Sequence, residues 1–170
     1  MVYELKEWSL KDVLPVHEGA EFEALLKQLN EKVELFADSR QKLKQDISET
    51  DFLNLLQLEK EISAVGARLG AYAYLWFSTD TKNEQAKSFM TKMEELGSDI
   101  SNKMLFFHLW FKDLDDANAQ RLIEASGDDK YHLESVRRFK PHILSENEEK
   151  IITIKNTTGD NALTKLYTII

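Results

Sequence analysis

The residues best suited to chemistry in this chain are its four histidines and the acids near them. His17-Glu18-Gly19-Ala20-Glu21 opens like His-Glu-x-x-His, in which two imidazoles one helical turn apart hold zinc and the glutamate activates water. The fifth residue is Glu21 rather than a second histidine. Pro15 and Gly19 also place the segment ahead of a helix, so it reads as a polar helix start. Asp129-x-x-His132 is a distant cousin of the Glu-x-x-His pairs of di-iron bundles. Such a site needs two pairs and the chain offers one, so an i,i+3 hydrogen bond on a surface helix is its ordinary role. His108 sits inside Leu105-Phe106-Phe107-His108-Leu109-Trp110-Phe111, the setting of a half-buried histidine with its hydrogen bonds satisfied. Gly66 and Gly70 fall within a helical pattern and Gly159 stands alone, so no glycine cluster cradles a phosphate. No Gly-x-Ser-x-Gly occurs, and there is no cysteine to act as nucleophile, metal ligand or disulfide. Asn156-Thr157-Thr158 matches a glycosylation sequon, but no secretion signal gives it weight. No residue of the chain is assigned a catalytic, cofactor-binding or metal-binding role.

The elements that would position these side chains are helical. In Asp51–Thr81, apolar residues recur at Leu55, Leu58, Ile62, Val65, Leu69, Tyr72 and Trp76, in steps of three and four that keep one helix face. Ser63, Gly66, Gly70 and Ala73 form a small-residue stripe beside it, where another backbone can approach closely. This helix is read as the hub. Before it, residues 1–17 form an irregular arm that docks through Trp8 and Leu10. A first helix is expected from Glu18 to Ile47 on Phe22, Leu25, Leu26, Leu29, Val33 and Phe36, with a break or projection in its polar second half. After the hub, Ser78-Thr79-Asp80-Thr81 makes a connector, and Thr81-x-x-Glu84 matches a capping box. A third helix then runs to Asp113 on Ala86, Phe89, Met93, Leu96, Ile100, Met104, Phe107 and Phe111. The two long helices form an antiparallel hairpin. Their aromatic ends, Tyr72/Tyr74/Trp76/Phe77 and Phe106/Phe107/Trp110/Phe111, then lie at opposite ends, as core layers or as an interaction surface.

Beyond Leu114 the helices shorten: Asp115 to Ala125, Asp129 to Phe139, a break at Lys140-Pro141-His142, a capping box at Ser145 and Glu148 opening a helix to Asn156, and a last turn or two over Asn161–Tyr167. Tyr167-Thr168-Ile169-Ile170 has the β-branched composition of a strand start. That apolar ending suggests a chain that continues beyond Ile170. The fold class is therefore all-α: an antiparallel long-helix hairpin or bundle with shorter C-terminal helices and a strand start at the end. It is one domain over 1–170, with the arm at 1–17, long helices at 18–113 and short helices at 114–170.

Composition sets outer limits. Apolar residues make up 42% and charged residues 31%, enough for a folded domain with a core. The net charge of −8 argues against nucleic acid as a partner, because phosphate binding needs a basic surface. The longest apolar-rich run, Leu69–Phe77, falls short of the roughly 20 residues that span a bilayer. No signal-peptide pattern leads the chain, so the expected location is the cytoplasm.

The order of these features resembles a known family. Trp8-Ser9-Leu10 precedes acidic helices, and the hub carries Arg68-Leu69-Gly70-Ala71-Tyr72. Tyr131-x-Leu133 leads to Lys140-Pro141-His142-x-Leu144-Ser145 with Glu149, then to Thr158-Gly159-x2-Ala162-Leu163-x2-Leu166-Tyr167. Together these resemble the N-terminal helical portion of oligoendopeptidase F, of the thimet-oligopeptidase-like zinc metallopeptidases. The resemblance implies an intracellular enzyme that hydrolyses short peptides inside a channel, with this portion forming part of the channel wall. It implies zinc in the full-length parent, held by a His-Glu-x-x-His helix and a downstream glutamate absent from this chain. The implied partners are a C-terminal catalytic domain of the same polypeptide and short peptides. The alternative is a self-contained helical interaction module without catalytic activity, such as a homodimer.

Overall fold

The computed structural model describes residues 9–169, and for Lys165, Thr168 and Ile169 the backbone alone. Among the described residues seven α-helices follow in order: α1 Gly19–Asp38, α2 Glu49–Thr79, α3 Glu84–Asp113, α4 Asp116–Ala125, α5 Lys130–Arg138, α6 Glu146–Thr158 and α7 Asp160–Ile169. Short 3-10 turns at Ser39–Lys42, Gly127–Asp129 and Lys140–His142 link some of them. The all-α reading holds. The expected strand start does not: α7 continues through Tyr167 to Ile169. Leu163, Leu166 and Tyr167 are spaced for one helix face, and that spacing prevails over the β-propensity of the last residues.

The hub is α2, and its stripe is the one read from the sequence. Leu55, Ile62, Leu69 and Tyr72 are buried, while Leu58, Val65 and Trp76 are partly buried against the core. Tyr74, off the stripe, is 59% exposed. Ring contacts fix the hairpin as antiparallel. Phe52, at the start of α2, stacks on Phe107 at 6.0 Å and Phe111 at 5.7 Å, near the end of α3. Tyr72 and Trp76, near the end of α2, each meet Phe89 of early α3 at 5.7 Å. α1 completes the central layer by placing Phe36 against Phe106 and Phe107. α4 and α5 pack at the Phe52 end, and α6 lies along α3.

Helix ends follow local hydrogen bonding. The Ser48 hydroxyl accepts from the Asp51 N–H and opens α2. The expected Thr81 capping box is replaced by Asn83, whose side-chain oxygen accepts from Gln85 and Ala86 at 3.0 Å. Asp80 uses its carboxylate on the Lys82 N–H, so the helix starts two residues later than the sequence suggested. α1 stops at Asp38, a break in the polar second half of the stretch expected to reach Ile47; the Ser39 hydroxyl and N–H turn back onto the last carbonyls, and the next turn, Ser39–Lys42, brings no apolar side chain. Gly127, at φ +57°, ends α4 in the left-handed region that glycine tolerates best. The arm docks by Leu14, which is buried, and by Leu10, which packs on the core. The Arg68 guanidinium donates to the Val13 carbonyl through Nε and Nη2, each at 3.2 Å. Trp8 lies outside the described residues.

Candidate functional site

The densest polar construction is at the carboxyl end of α3, where helix carbonyls lack partners and the helix dipole favours cations. Arg137 of α5 answers both needs. Its Nη1 donates to the carbonyls of Phe111 (3.0 Å), Lys112 (2.6 Å) and Leu114 (2.8 Å), and its Nη2 pairs with Asp116 at 2.6 Å. Lys140 adds a bond to the Leu114 carbonyl at 2.9 Å. The lysine of Lys140-Pro141-His142 therefore has a helix-capping role. The rest of that motif organises α6. Ser145 and Glu148 form the expected capping box, and Glu149 Oε1 accepts from the Leu144 N–H at 3.3 Å.

α6 is tied through charge to the 3-10 turn that follows α1. Arg40 grips both carboxylate oxygens of Glu146, at 3.0 and 2.6 Å, and Lys150 adds a bond at 2.7 Å. The hydrogen bonds from Arg40 and Lys150 hold the Glu146 carboxyl down at about 2. The same pairing raises Arg40 above its usual value. Between this ion pair and the α3 clamp lies a groove of about 610 Å³, floored by Phe106, Leu109, Trp110 and Ile143. Arg40 also lies over the Phe106 ring, 5.3 Å from its centroid. The cations of the rim are already engaged, so the groove can receive an apolar side chain but presents no activated nucleophile.

The sequence candidates are dispersed. His17 Nδ1 lies 2.9 Å from the Tyr72 hydroxyl within the aromatic end of α2. Burial, then the nearby Glu18 charge, raises the Tyr72 phenol, which therefore stays protonated. Asp129 bonds to Lys60 of α2 at 2.9 and 3.0 Å instead of pairing with His132. His108 is half-buried and satisfied as expected, with Nε2 2.9 Å from Glu59 Oε1. Glu59 itself was missed. It is 8% exposed and sits one step along the hub stripe, at the i+4 position from Leu55, where an apolar residue is the rule. The signal was present: an acid in line with Leu55 and Ile62 needs a buried partner. Arg137 had no such signal, because its partners are backbone carbonyls more than twenty residues away.

No group of three or more His, Cys, Asp or Glu side chains converges to hold a metal among the described residues. These residues do not fit a zinc centre. No helix among the described residues is long and apolar enough to cross a membrane.

The segment in which the clamp, the capping box and α6–α7 lie also has a family match. The family model described as Oligopeptidase F, an N-terminal peptidase family-M3 model, matches residues 110–170. Over that stretch the match bears out the resemblance to the N-terminal portion of an oligoendopeptidase F-like protein. No match was found among curated proteins or among solved structures.

Proposed function

We propose that this chain is the N-terminal helical domain of an oligoendopeptidase F-like zinc metallopeptidase of the cytoplasm. In this reading it forms part of the wall of the channel in which the enzyme hydrolyses short peptides. A catalytic domain of the same polypeptide carries the zinc, and this domain contributes shape and selectivity. The observation that carries the reading is the family match over residues 110–170. The composition supports it: an acidic, helical surface around a rigid aromatic core suits a wall better than a catalytic centre. The interior polar groups described above are engaged in capping and ion pairs, which is also what a wall requires.

The test is to measure bound zinc and cleavage of a fluorogenic peptide, first with the 170-residue chain alone and then after mixing with a separately expressed oligopeptidase F catalytic portion. The expected result is neither stoichiometric zinc nor turnover by the chain alone, with binding to the catalytic portion and a narrowed range of peptide lengths cleaved. Zinc at one equivalent together with turnover by the chain alone would overturn the proposal.

A further inference from the structure

The Glu59–His108 pair lines a second cleft, of about 400 Å³, which lies between α2 and α3 and is bordered by Thr153 of α6. Ile62 and Met104, both buried, supply its apolar floor. Gly66 of α2 and Gly97 of α3 also line it. Glycine weakens a helix interior relative to alanine. A Cβ at either position would meet nothing within 4 Å, so close packing within the chain does not call for these glycines; what they do is keep the cleft open.

The charge of the cleft is one-sided. Counting histidine as neutral, Glu59 carries the one formal charge among the lining residues, and no lysine or arginine is among them. The Glu59 side chain is buried with only its Oε1 placed against His108 Nε2, at 2.9 Å. A carboxylate has room for further donors on its second oxygen. Burial strips a carboxylate of water, and a cation brought beside it compensates for that loss. Gly66 lies two turns from Glu59, about 10 Å along α2. Between them runs the apolar floor. A single carboxylate reached along an apolar path is the complement of a side chain with an apolar stem and a cationic head. The cleft volume lies within the range of small-ligand sites.

We infer that this cleft receives a basic side chain, arginine or lysine, of a peptide. The stem lies on Ile62 and Met104, and the head pairs with Glu59. The peptide comes from the proposed function, on which the inference rests; the basic side chain comes from the charge of the cleft.

The test titrates the isotope-labelled 170-residue chain with three capped pentapeptides, glycine throughout except for a central arginine, lysine or citrulline, at physiological ionic strength. Amide shifts are followed by NMR. Citrulline keeps the shape of arginine and removes its charge. The expected result is saturable binding of the arginine or lysine peptide, with shifts concentrated in residues 59–67 and 97–108, and binding of the citrulline peptide at least tenfold weaker. Glu59→Gln keeps an acceptor for His108 and should weaken the basic peptides at least tenfold. Gly66→Leu places a side chain in the cleft and should abolish binding with a thermal midpoint at or above wild type, because nothing stands where its Cβ goes. This second variant decides the matter should Glu59→Gln fold poorly. Equal binding of citrulline and arginine, undiminished binding by Gly66→Leu, shifts scattered over the acidic surface, or no saturation by about 10 mM of either basic peptide would each overturn the inference. None of these outcomes touches the proposed function, which stands or falls on zinc, turnover and association with the catalytic portion.

Discussion

Replacing Arg137 with methionine should be the most damaging change outside the aromatic core. The side chain is 12% exposed, and one guanidinium nitrogen serves three carbonyls at the end of α3. A net hydrogen bond to a charged group contributes about 1.5–3 kcal/mol. Methionine keeps the apolar stem, so the loss is mainly polar. That nitrogen carries two hydrogens shared among the three carbonyls, so two bonds at mid-range sum to about 4–5 kcal/mol; water reaching the freed carbonyls, and Lys140 remaining on the Leu114 carbonyl, return part of that, which leaves a loss of about 3 kcal/mol. The Asp116 pair adds little, because that carboxylate is 93% exposed. For a chain of this size, about 3 kcal/mol lowers the thermal midpoint by roughly 6–12 °C. Arg137→Lys should recover only part of this, since an ammonium on a flexible stem cannot reproduce the fork. Arg138→Ala is the control, because its guanidinium lies 5.9 Å from the ring of the exposed Tyr131 and should cost no more than about 0.5 kcal/mol. Urea titration and calorimetry of the three variants measure this. An Arg137→Met protein within about 1 kcal/mol of wild type would refute the clamp as a stability element.

Glu146→Gln should alter the acid limb of stability. Its folded-state value of about 2, against 4.5 ordinarily, means that the ion pair stabilises fully above about pH 4.5 and loses that contribution as pH falls through 2. The full gap corresponds to about 3 kcal/mol, and the exposure of Arg40 at 56% reduces this to about 1–2 kcal/mol. Wild-type and variant urea midpoints should therefore differ at pH 7 and converge toward pH 2; parallel curves would contradict the assignment. Phe107→Ala should cost about 3–5 kcal/mol by opening a cavity among Phe36, Phe52 and Trp110, whereas Tyr74→Ala should stay within about 0.5 kcal/mol. Glu59→Ala should lose about 1–3 kcal/mol by stranding His108, while Glu59→Leu/His108→Leu should be near neutral or more stable. A double variant as unstable as the two single changes combined would show that the pair does more than satisfy itself.

The long helices were legible because their burial is periodic. Leu55, Ile62, Leu69 and Tyr72 repeat at helical spacing, and packing follows that spacing directly. The ends of helices were less so, because they depend on which of several competing polar side chains reaches a free N–H. Asp80, Thr81 and Asn83 are all eligible, and Asn83 prevails by accepting from two amides at once. The strand expected at the end failed for a related reason. β-propensity describes fit to a sheet surface, and no neighbouring strand exists among the described residues for Tyr167 onward to join. The polar clamp was illegible in principle: Arg137 looks like any surface arginine until the end of α3 arrives beside it.

These differences imply that stability is unevenly distributed along the chain. The α1–α3 core is sealed by aromatic residues at both ends, with Phe36, Phe52, Phe107 and Phe111 at one end and Phe22 and Phe77 at the other at or below 2% exposed. α7 has no such support. Its described side chains are exposed, and a ten-residue helix by itself is marginal in water. Its first turn leans on α6, with the Leu163 N–H reaching back to the Gly159 carbonyl at 2.9 Å. Local unfolding of α7 should therefore cost far less than global unfolding. In the chain alone, amides of residues 163–169 should exchange with little protection, while those around Phe107 exchange only through global unfolding. Protection of α7 equal to that of α3 in the chain alone would mean that the helix draws its stability from contacts within the chain, and would refute this uneven distribution.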